Sequence, residues 1–206
     1  MHMNQSSAVR VALRRRDPAL QNSGGLMVIG GPPFQGKSVL AAHLAEILPH
    51  AYKLEVVDNL SLTSEHWYPE GLTGERLHTP LRSMLDTALG IWNRRLPGAP
   101  PLIIVSARAG TRASRRLAHQ TAMAAGMKFL YVEAFSHGIR ALERLSSLVL
   151  SKHELLLRMR RYDAAKQQYI PVGPEEMKIL PAVRLRRALS DPDGAIRTVL
   201  ARWAVA

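Results

Sequence analysis

The chain has 206 residues, of which 47% are apolar, so it can bury one substantial core and does not have the composition of a disordered or fibrous protein. Its 28 Lys and Arg residues outnumber 16 Asp and Glu residues, and the resulting net charge of +12 favours anionic partners such as nucleotides, acidic surfaces or nucleic acid. Because the sequence contains no cysteine, disulfides, thiolate metal sites and cysteine nucleophiles are excluded.

The sequence shows neither a membrane span nor a secretory signal. Its longest apolar runs are far short of the roughly 20 residues that a membrane helix needs. Basic residues near the N-terminus are not followed by an apolar segment. We therefore expect a soluble, cytoplasmic protein without a membrane partner. Residues 1–24 are predicted to form a basic, flexible tail, and residues 25–206 one domain.

The first predicted strand covers residues 26–29 and leads into GGPPFQGKS, which contains the spacing G-x-x-x-x-G-K-S from Gly31 to Ser38. Glycines allow successive backbone N–H groups to turn inward, and a helix predicted over residues 37–48 adds its positive end. Lys37 can then reach the β- and γ-phosphates of a nucleotide triphosphate, and Ser38 can ligate Mg²⁺. This P-loop pattern predicts ATP and Mg²⁺ as cofactors, bound by Gly31, Pro32, Pro33, Phe34, Gln35, Gly36, Lys37, Ser38 and Val39.

A second predicted strand, residues 52–58, ends in an acid, Asp58. In many NTPases an acid at the end of a strand holds Mg²⁺ through water, but the strongest strand here, LIIVS at residues 102–106, ends in Ser106. Asp58 is therefore the candidate for two tasks: a contact to Mg²⁺ and acceptance of the proton from a substrate hydroxyl. An ordinary turn acid is the alternative interpretation.

Strands and helices alternate along the chain. After a connection over residues 59–79, helices are predicted over residues 80–95, 112–125, 139–168 and 191–203. Pro80, Gly126 and Asp191 are expected to mark the start or end of three of them. Further strands are predicted over residues 128–135 and within residues 177–185. This alternation predicts an α/β protein with the P-loop NTPase three-layer fold: a mostly parallel sheet, helices on both faces, and a small helical lid at about residues 145–172.

Two groups of arginines are candidate site residues. In LLLRMRRYDAAKQQY, Arg158 and Arg161 are three residues apart on one predicted helix face, so either could close over a phosphoryl group and stabilise its charge. We assign both as candidate catalytic residues with Lys37. A second group, Arg108, Arg112, Arg115 and Arg116, follows the third strand, on the side where open α/β sheets bind acceptors. An anionic acceptor explains this group, and so does a helix decorated for solubility.

The order of the segments GGPPFQGKS, VVDN, LIIVSARAGTRASRRLAHQTAMAAGMKFLYVEA, ALERL and RMRRYDAAKQQYIPVGPEE resembles that of the small-molecule P-loop kinases. The nearest patterns are adenylylsulfate kinase and chloramphenicol-phosphotransferase-like proteins, and the resemblance spans about residues 26–203. It implies that Asp58 contacts or deprotonates the acceptor, that Asn59 lies beside the substrate, and that Arg158 or Arg161 belongs to a lid over ATP. It also implies that residues 106–108 line the acceptor pocket. From the second arginine group we assign Arg108 and Arg112 as candidate substrate residues.

The chain departs from adenylylsulfate kinases at two places. It has Val56 and Val57 where those enzymes carry a second acid before the Asp-Asn pair, and VSARAG where they have an Ile-Ser-Pro-aromatic run. The resemblance therefore implies the kinase class, with transfer of the γ-phosphate of ATP to a hydroxyl of a small acceptor, and leaves the acceptor, the oligomeric state and ATP against GTP open.

Two other functions stay open at this point. A nucleic-acid-associated P-loop ATPase or nucleotide-dependent regulator would account for the charge of +12 and predicts salt-sensitive binding to DNA or RNA. A kinase fold kept as a binding scaffold would account for the serine at the end of LIIVS, and predicts ATP binding without turnover.

Overall fold

The structure is a computed structural model that describes residues 24–32, 35–48, 51–55, 75–96, 100–107, 109–135, 151–167, 169–186 and 191–206. Within these residues the elements, in chain order, are β1 (Gly25–Gly30), α1 (Lys37–Ile47), β2 (Ala51–Glu55), α2 (Glu75–Asn93), β3 (Leu102–Ser106), α3 (Arg112–Ala124), β4 (Lys128–Ala134), α4 (Lys152–Gln167), α5 (Pro174–Met177), β5 (Ala182–Leu185) and α6 (Pro192–Val205). The predicted alternation of strands and helices is confirmed.

The strands form one parallel sheet in the order β2-β3-β1-β4-β5. The central strand β1 pairs with β3 on one side, where Ile29 is opposite Ser106, and with β4 on the other, where Gly30 is opposite Glu133. Because all strands run in the same direction, their carboxyl ends lie at one edge of the sheet. We call it the carboxyl edge; the predicted phosphate loop follows the central strand there.

Two hydrophobic clusters cover the two faces of the sheet. Leu26 and Val28 of β1 pack with α2 and α3 on one face, and Met27 and Ile29 pack with α1 and α6 on the other. A strand buried on both faces has no polar side to alternate with, which explains why β1 and β3 read as continuous apolar runs. The predicted three-layer fold with a parallel sheet and helices on both faces is confirmed.

Several element ends differ from the predicted ones. Helix α2 begins at Glu75, so Pro80 lies inside the helix instead of in its first turn, and residues 75–79 are not part of a loop. The strong helix formers Glu75, Arg76 and Leu77 extend the helix ahead of the proline. The last strand, Ala182–Leu185, lies within the predicted residues 177–185, and Pro174–Met177 forms a helical turn before it.

The predicted caps agree better with the structure. The side chain of Asp191 accepts a hydrogen bond from the backbone N–H of Gly194 at 2.8 Å at the start of α6, and Gly126 has a φ of 65° just after α3. None of the helices in the described part of the chain is long and apolar enough to cross a membrane.

Candidate nucleotide-binding site

Two glycines shape the loop between β1 and α1. Gly31 has a φ of 143° and Gly36 a φ of 80°, values that favour glycine. At Gly31 there is also no room for a side chain, because a Cβ would lie 2.2 Å from the carbonyl oxygen of Ala134 in β4. The backbone and the neighbouring strand therefore both require the first glycine of the pattern.

Replacing Gly31 with alanine is expected to lower the free energy of unfolding by about 2 kcal/mol or more, because the new Cβ meets a backbone oxygen that cannot move away. The matched control is Gly126→Ala, since Gly126 has a φ of 65° and no atom lies within 4 Å of an added Cβ. This control should cost only about 1 kcal/mol of backbone strain. Urea unfolding of both variants checks the difference, and equal losses of stability would contradict this account of Gly31.

Lys37 is the first residue of α1, and its side chain turns back across the loop. Its Nζ donates a hydrogen bond to the carbonyl oxygen of Pro32 at 2.7 Å, and the residue is only 9% exposed. The ammonium charge therefore lies within the loop and not in bulk solvent. The first turn of α1 contains no acidic residue, so the positive end of the helix reinforces this charge.

Glu55 is a candidate site residue that the sequence interpretation missed. It is the last residue of β2, and its register partner is Ser106, the serine that follows LIIV in β3. Its carboxylate accepts a hydrogen bond from the side chain of Ser38 and pairs with Lys53 at 3.0 Å. An acid therefore does lie at the carboxyl edge beside the phosphate loop, on the strand next to the expected one.

The environment of Glu55 keeps it ionised. Partial burial alone would raise the pKa of this carboxyl, but the hydrogen bonds from Ser38 and Lys53 and the positive charges of Lys53 and Lys37 lower the pKa overall. Lys37, Ser38 and Glu55 thus form one electrostatically connected group that combines elements α1 and β2. The predicted strand over residues 52–58 contains two acids, Glu55 and Asp58. The strand-end role was assigned to Asp58 because it is the last residue of that predicted strand.

This group fits a hydrated Mg²⁺ ion. Mg²⁺ prefers oxygen ligands, keeps several waters and is usually held by one or two protein side chains together with substrate phosphates. The exposed hydroxyl of Ser38 and the carboxylate of Glu55 are such ligands. Across the described residues no group of three or more His, Cys, Asp or Glu side chains could hold a metal by itself.

The structure divides the arginines predicted to follow β3. Arg112 and Arg116 are exposed on α3, which begins at the carboxyl edge. Arg115 is fully buried, and both Nε and Nη2 donate to the carboxylate of Glu176 at 2.6 Å, so it is not available to an acceptor. Ser106 is buried, with 4% exposure.

Most of the remaining predicted site residues lie partly or wholly outside the described part of the chain. Arg158 and Arg161 lie three residues apart in α4, which agrees with a shared helix face, and their side chains lie outside the described ones. Gln35 is buried, and Val39 is 39% exposed on α1. Outside the described residues lie Pro33, Phe34, Asp58, Asn59 and Arg108. The structure therefore brings together Gly31, Gly36, Lys37, Ser38 and Glu55, and the roles of all site residues stay predictions.

Neither protein-family models nor curated proteins gave a match to this sequence. Solved structures do share its fold. A gluconokinase from Sinorhizobium meliloti 1021 is 16% identical with a TM-score of 0.58, and the likeness covers 90% of this chain and 93% of that one. The Mycobacterium tuberculosis APS kinase in complex with AMPPNP and APS is 21% identical with a TM-score of 0.58, over 87% of this chain and 98% of that one.

A third similar structure is Kti12 from Chaetomium thermophilum in complex with ADP-AlF3, which is 16% identical with a TM-score of 0.59 over 86% of this chain and 96% of that one. At these identities the likeness shows the fold. The chain therefore has the P-loop NTPase fold of these proteins, as the sequence predicted.

Proposed function

We propose that this protein is a Mg²⁺- and ATP-dependent phosphotransferase that moves the γ-phosphate to a hydroxyl of a small acceptor. The observation that carries the proposal is the group of Lys37, Ser38 and Glu55 at the end of the central strands, with the lysine charge enclosed by a glycine-shaped loop. The fold supports it, since similar structures include a gluconokinase and an APS kinase with AMPPNP and APS.

Each residue has one task in the proposed reaction. Backbone N–H groups of the loop, the positive end of α1 and Lys37 bind the phosphates. Ser38 and Glu55 would hold Mg²⁺, which neutralises charge on the β- and γ-phosphate oxygens when bound. The acceptor oxygen bonds to the γ-phosphorus as the bond from that phosphorus to the oxygen of ADP breaks, and the hydroxyl proton passes to Asp58.

The lid residues act on the same step. Arg158 or Arg161, on α4, supplies positive charge to the equatorial oxygens of the transferred group. Closure of α4 over the site excludes water, which would otherwise receive the phosphoryl group in place of the acceptor.

We propose an anionic acceptor. The exposed residues Arg112 and Arg116 lie at the start of α3, next to the carboxyl edge, and Arg108 and Asn59 belong to the segments that follow β3 and β2. Open α/β sheets bind ligands at this edge. The cytoplasmic location and a flexible tail over residues 1–24 are part of the same proposal.

The experiment is an assay of ADP release from ATP and Mg²⁺ with a panel of hydroxyl-bearing metabolites, both anionic and neutral. Adenylylsulfate, nucleosides and aminocyclitols belong in the panel, and Lys37→Ala is the blank. ADP release that depends on one class of acceptor supports the kinase and identifies its substrate class. Release stimulated only by nucleic acid, and weakened steeply by salt, would instead support a nucleic-acid-associated ATPase, which the charge of +12 favours as the second candidate.

A further inference from the structure

The segment that leads from α4 back to the sheet, residues 169–176, is hydrogen-bonded to the connection after β3 and to α3. We call it the return segment. The backbone N–H of Ile170 donates to the carbonyl oxygen of Gly110 in the connection after β3, at 2.8 Å. The carbonyl oxygen of Ile170 accepts a hydrogen bond from Nη1 of Arg115 in α3, also at 2.8 Å. Glu176 completes the contact to α3 through its two hydrogen bonds from Arg115.

A buried carboxylate on the sheet binds the same segment. Glu133 of β4 is fully buried, and its Oε1 accepts hydrogen bonds from the backbone N–H of Val172, at 2.9 Å, and from the hydroxyl of Tyr169. Its Oε2 pairs with Arg184 of β5, which also donates to the carbonyl oxygen of Val172. Burial and the nearby charge of Glu133 raise the pKa of Tyr169, so the hydroxyl stays a neutral donor.

The same end of β4 also supports the phosphate loop. Glu133 is the register partner of Gly30, and the carbonyl oxygen of the next residue, Ala134, is the atom that leaves no room for a side chain on Gly31. A shift of this strand end would therefore move both the start of the loop and the return segment. The two are connected through one rigid element.

Helix α4 continues directly into the return segment, since the backbone N–H of Tyr169 donates to the carbonyl oxygen of Lys166 at 3.2 Å. Among the side chains that the structure describes, neither hydrophobic cluster includes a residue of α4, and Leu156 is 50% exposed. The return segment in turn has directional hydrogen bonds to the sheet, through Glu133 and Arg184.

We propose that Arg115 and Glu133 are positioning residues, which fix the return segment and thereby set the orientation of α4 relative to the phosphate loop. This inference rests on the proposed function only in taking α4 as the lid. Four hydrogen bonds hold the backbone at residues 170 and 172 in one place: one each with the buried Arg115 and Glu133, one from Arg184 and one to the carbonyl oxygen of Gly110. A buried ion pair adds little stability over apolar residues of similar volume, so its effect here is on geometry.

The absence of native cysteine allows this to be tested by spin labelling of the full chain. Spin labels are attached at Asp163→Cys in α4 and Arg202→Cys in α6, which are both exposed positions. Pulsed electron paramagnetic resonance then gives the distribution of distances between the two labels. In the parent protein we expect one narrow distribution. Glu176→Gln removes the charge that pairs with Arg115, and we expect loss of the narrow distribution in favour of a broad one.

Two further variants separate positioning from stability. Glu175→Gln is the matched control, because Glu175 is the neighbouring residue, is 83% exposed and pairs only at the surface with Lys178. It should leave the distribution unchanged. The double variant Arg115→Met with Glu176→Leu replaces the pair by apolar side chains, and should keep the thermal midpoint while the distribution stays broad.

A narrow, unshifted distribution in both Glu176→Gln and the double variant would overturn the proposal. If Glu176→Gln does not fold, Tyr169→Phe provides the same test by removing one hydroxyl from Glu133, again with a broad distribution expected and an unchanged one contradicting the proposal. The measurement needs neither ATP nor an acceptor. The positioning role is therefore tested separately from kinase activity. A narrow distribution in the variants would refute the positioning role even if the protein is an active kinase, and a broad distribution would support that role even if the protein is not a kinase.

Discussion

Replacing Lys37 with alanine is expected to lower acceptor-dependent ADP release by about 100-fold or more, because one preorganised positive charge at the transferring phosphates is removed. The ammonium of Lys37 is enclosed by the loop and reaches back to the carbonyl oxygen of Pro32. Affinity for ATP should fall as well, which titration calorimetry with ATP and Mg²⁺ would show.

The control for this variant is Lys178→Ala. It removes the same charge from an exposed side chain that follows the return segment in the sequence and forms a surface ion pair with Glu175. It should leave ADP release unchanged. Circular dichroism of both variants checks that they remain folded. A folded Lys37→Ala protein that releases ADP at the parent rate would refute the phosphate-binding role of this loop.

Replacing Glu55 with glutamine is expected to raise the Mg²⁺ concentration needed for ATP binding and to reduce turnover by about 10- to 100-fold. Glutamine preserves the size of the side chain and its hydrogen bond to Ser38, but removes the negative charge that would face the ion. Titration of ATP binding against Mg²⁺ measures the effect directly, and it does not depend on knowing the acceptor.

Asp58→Asn provides the comparison for Glu55→Gln. We expect it to leave ATP binding largely intact and to remove turnover, because Asp58 is assigned to the acceptor proton. Phosphate transfer near the parent rate in Asp58→Asn would refute that assignment. An unchanged Mg²⁺ requirement in Glu55→Gln would refute the role proposed for Glu55.

The lowered pKa of Glu55 gives the pH dependence of the same contact. A carboxyl whose pKa is lowered in the folded protein stays ionised down to that lowered pKa. Its negative charge is lost only as the pH falls through the pKa of the folded state. The Mg²⁺ requirement for ATP binding should therefore show no rise from neutral pH down to about pH 5, provided that the titration of ATP itself is subtracted.

The sheet and the phosphate loop could be predicted because their signals are local. LMVI and LIIV are continuous apolar runs since β1 and β3 are buried on both faces, and the loop requires glycine at positions that its own backbone angles fix. The cap at Asp191 is also set by residues three positions apart. In each case the physical cause lies within a few residues of the pattern.

The contacts that could not be predicted join distant segments. Arg115 belongs by sequence to a group of exposed arginines, and only the fold brings it to Glu176, 61 residues away. In the same way, nothing in the strand KFLYVEA predicts the hydrogen bonds of Glu133, because its partners Tyr169 and Arg184 lie far along the chain. The sequence interpretation missed Glu55 because residues 52–58 alone do not show where β2 ends. The end of β2 determines which acid lies beside Ser38.

The most direct test of the proposed kinase activity follows the phosphoryl group itself. Phosphorus NMR of the protein with ATP, Mg²⁺ and the acceptor that best stimulates ADP release would show where the γ-phosphate goes. We predict a new phosphomonoester signal that grows in step with ADP and is absent with Lys37→Ala. Growth of inorganic phosphate alone, or unchanged ATP despite binding, would contradict the assignment of this site to phosphate transfer.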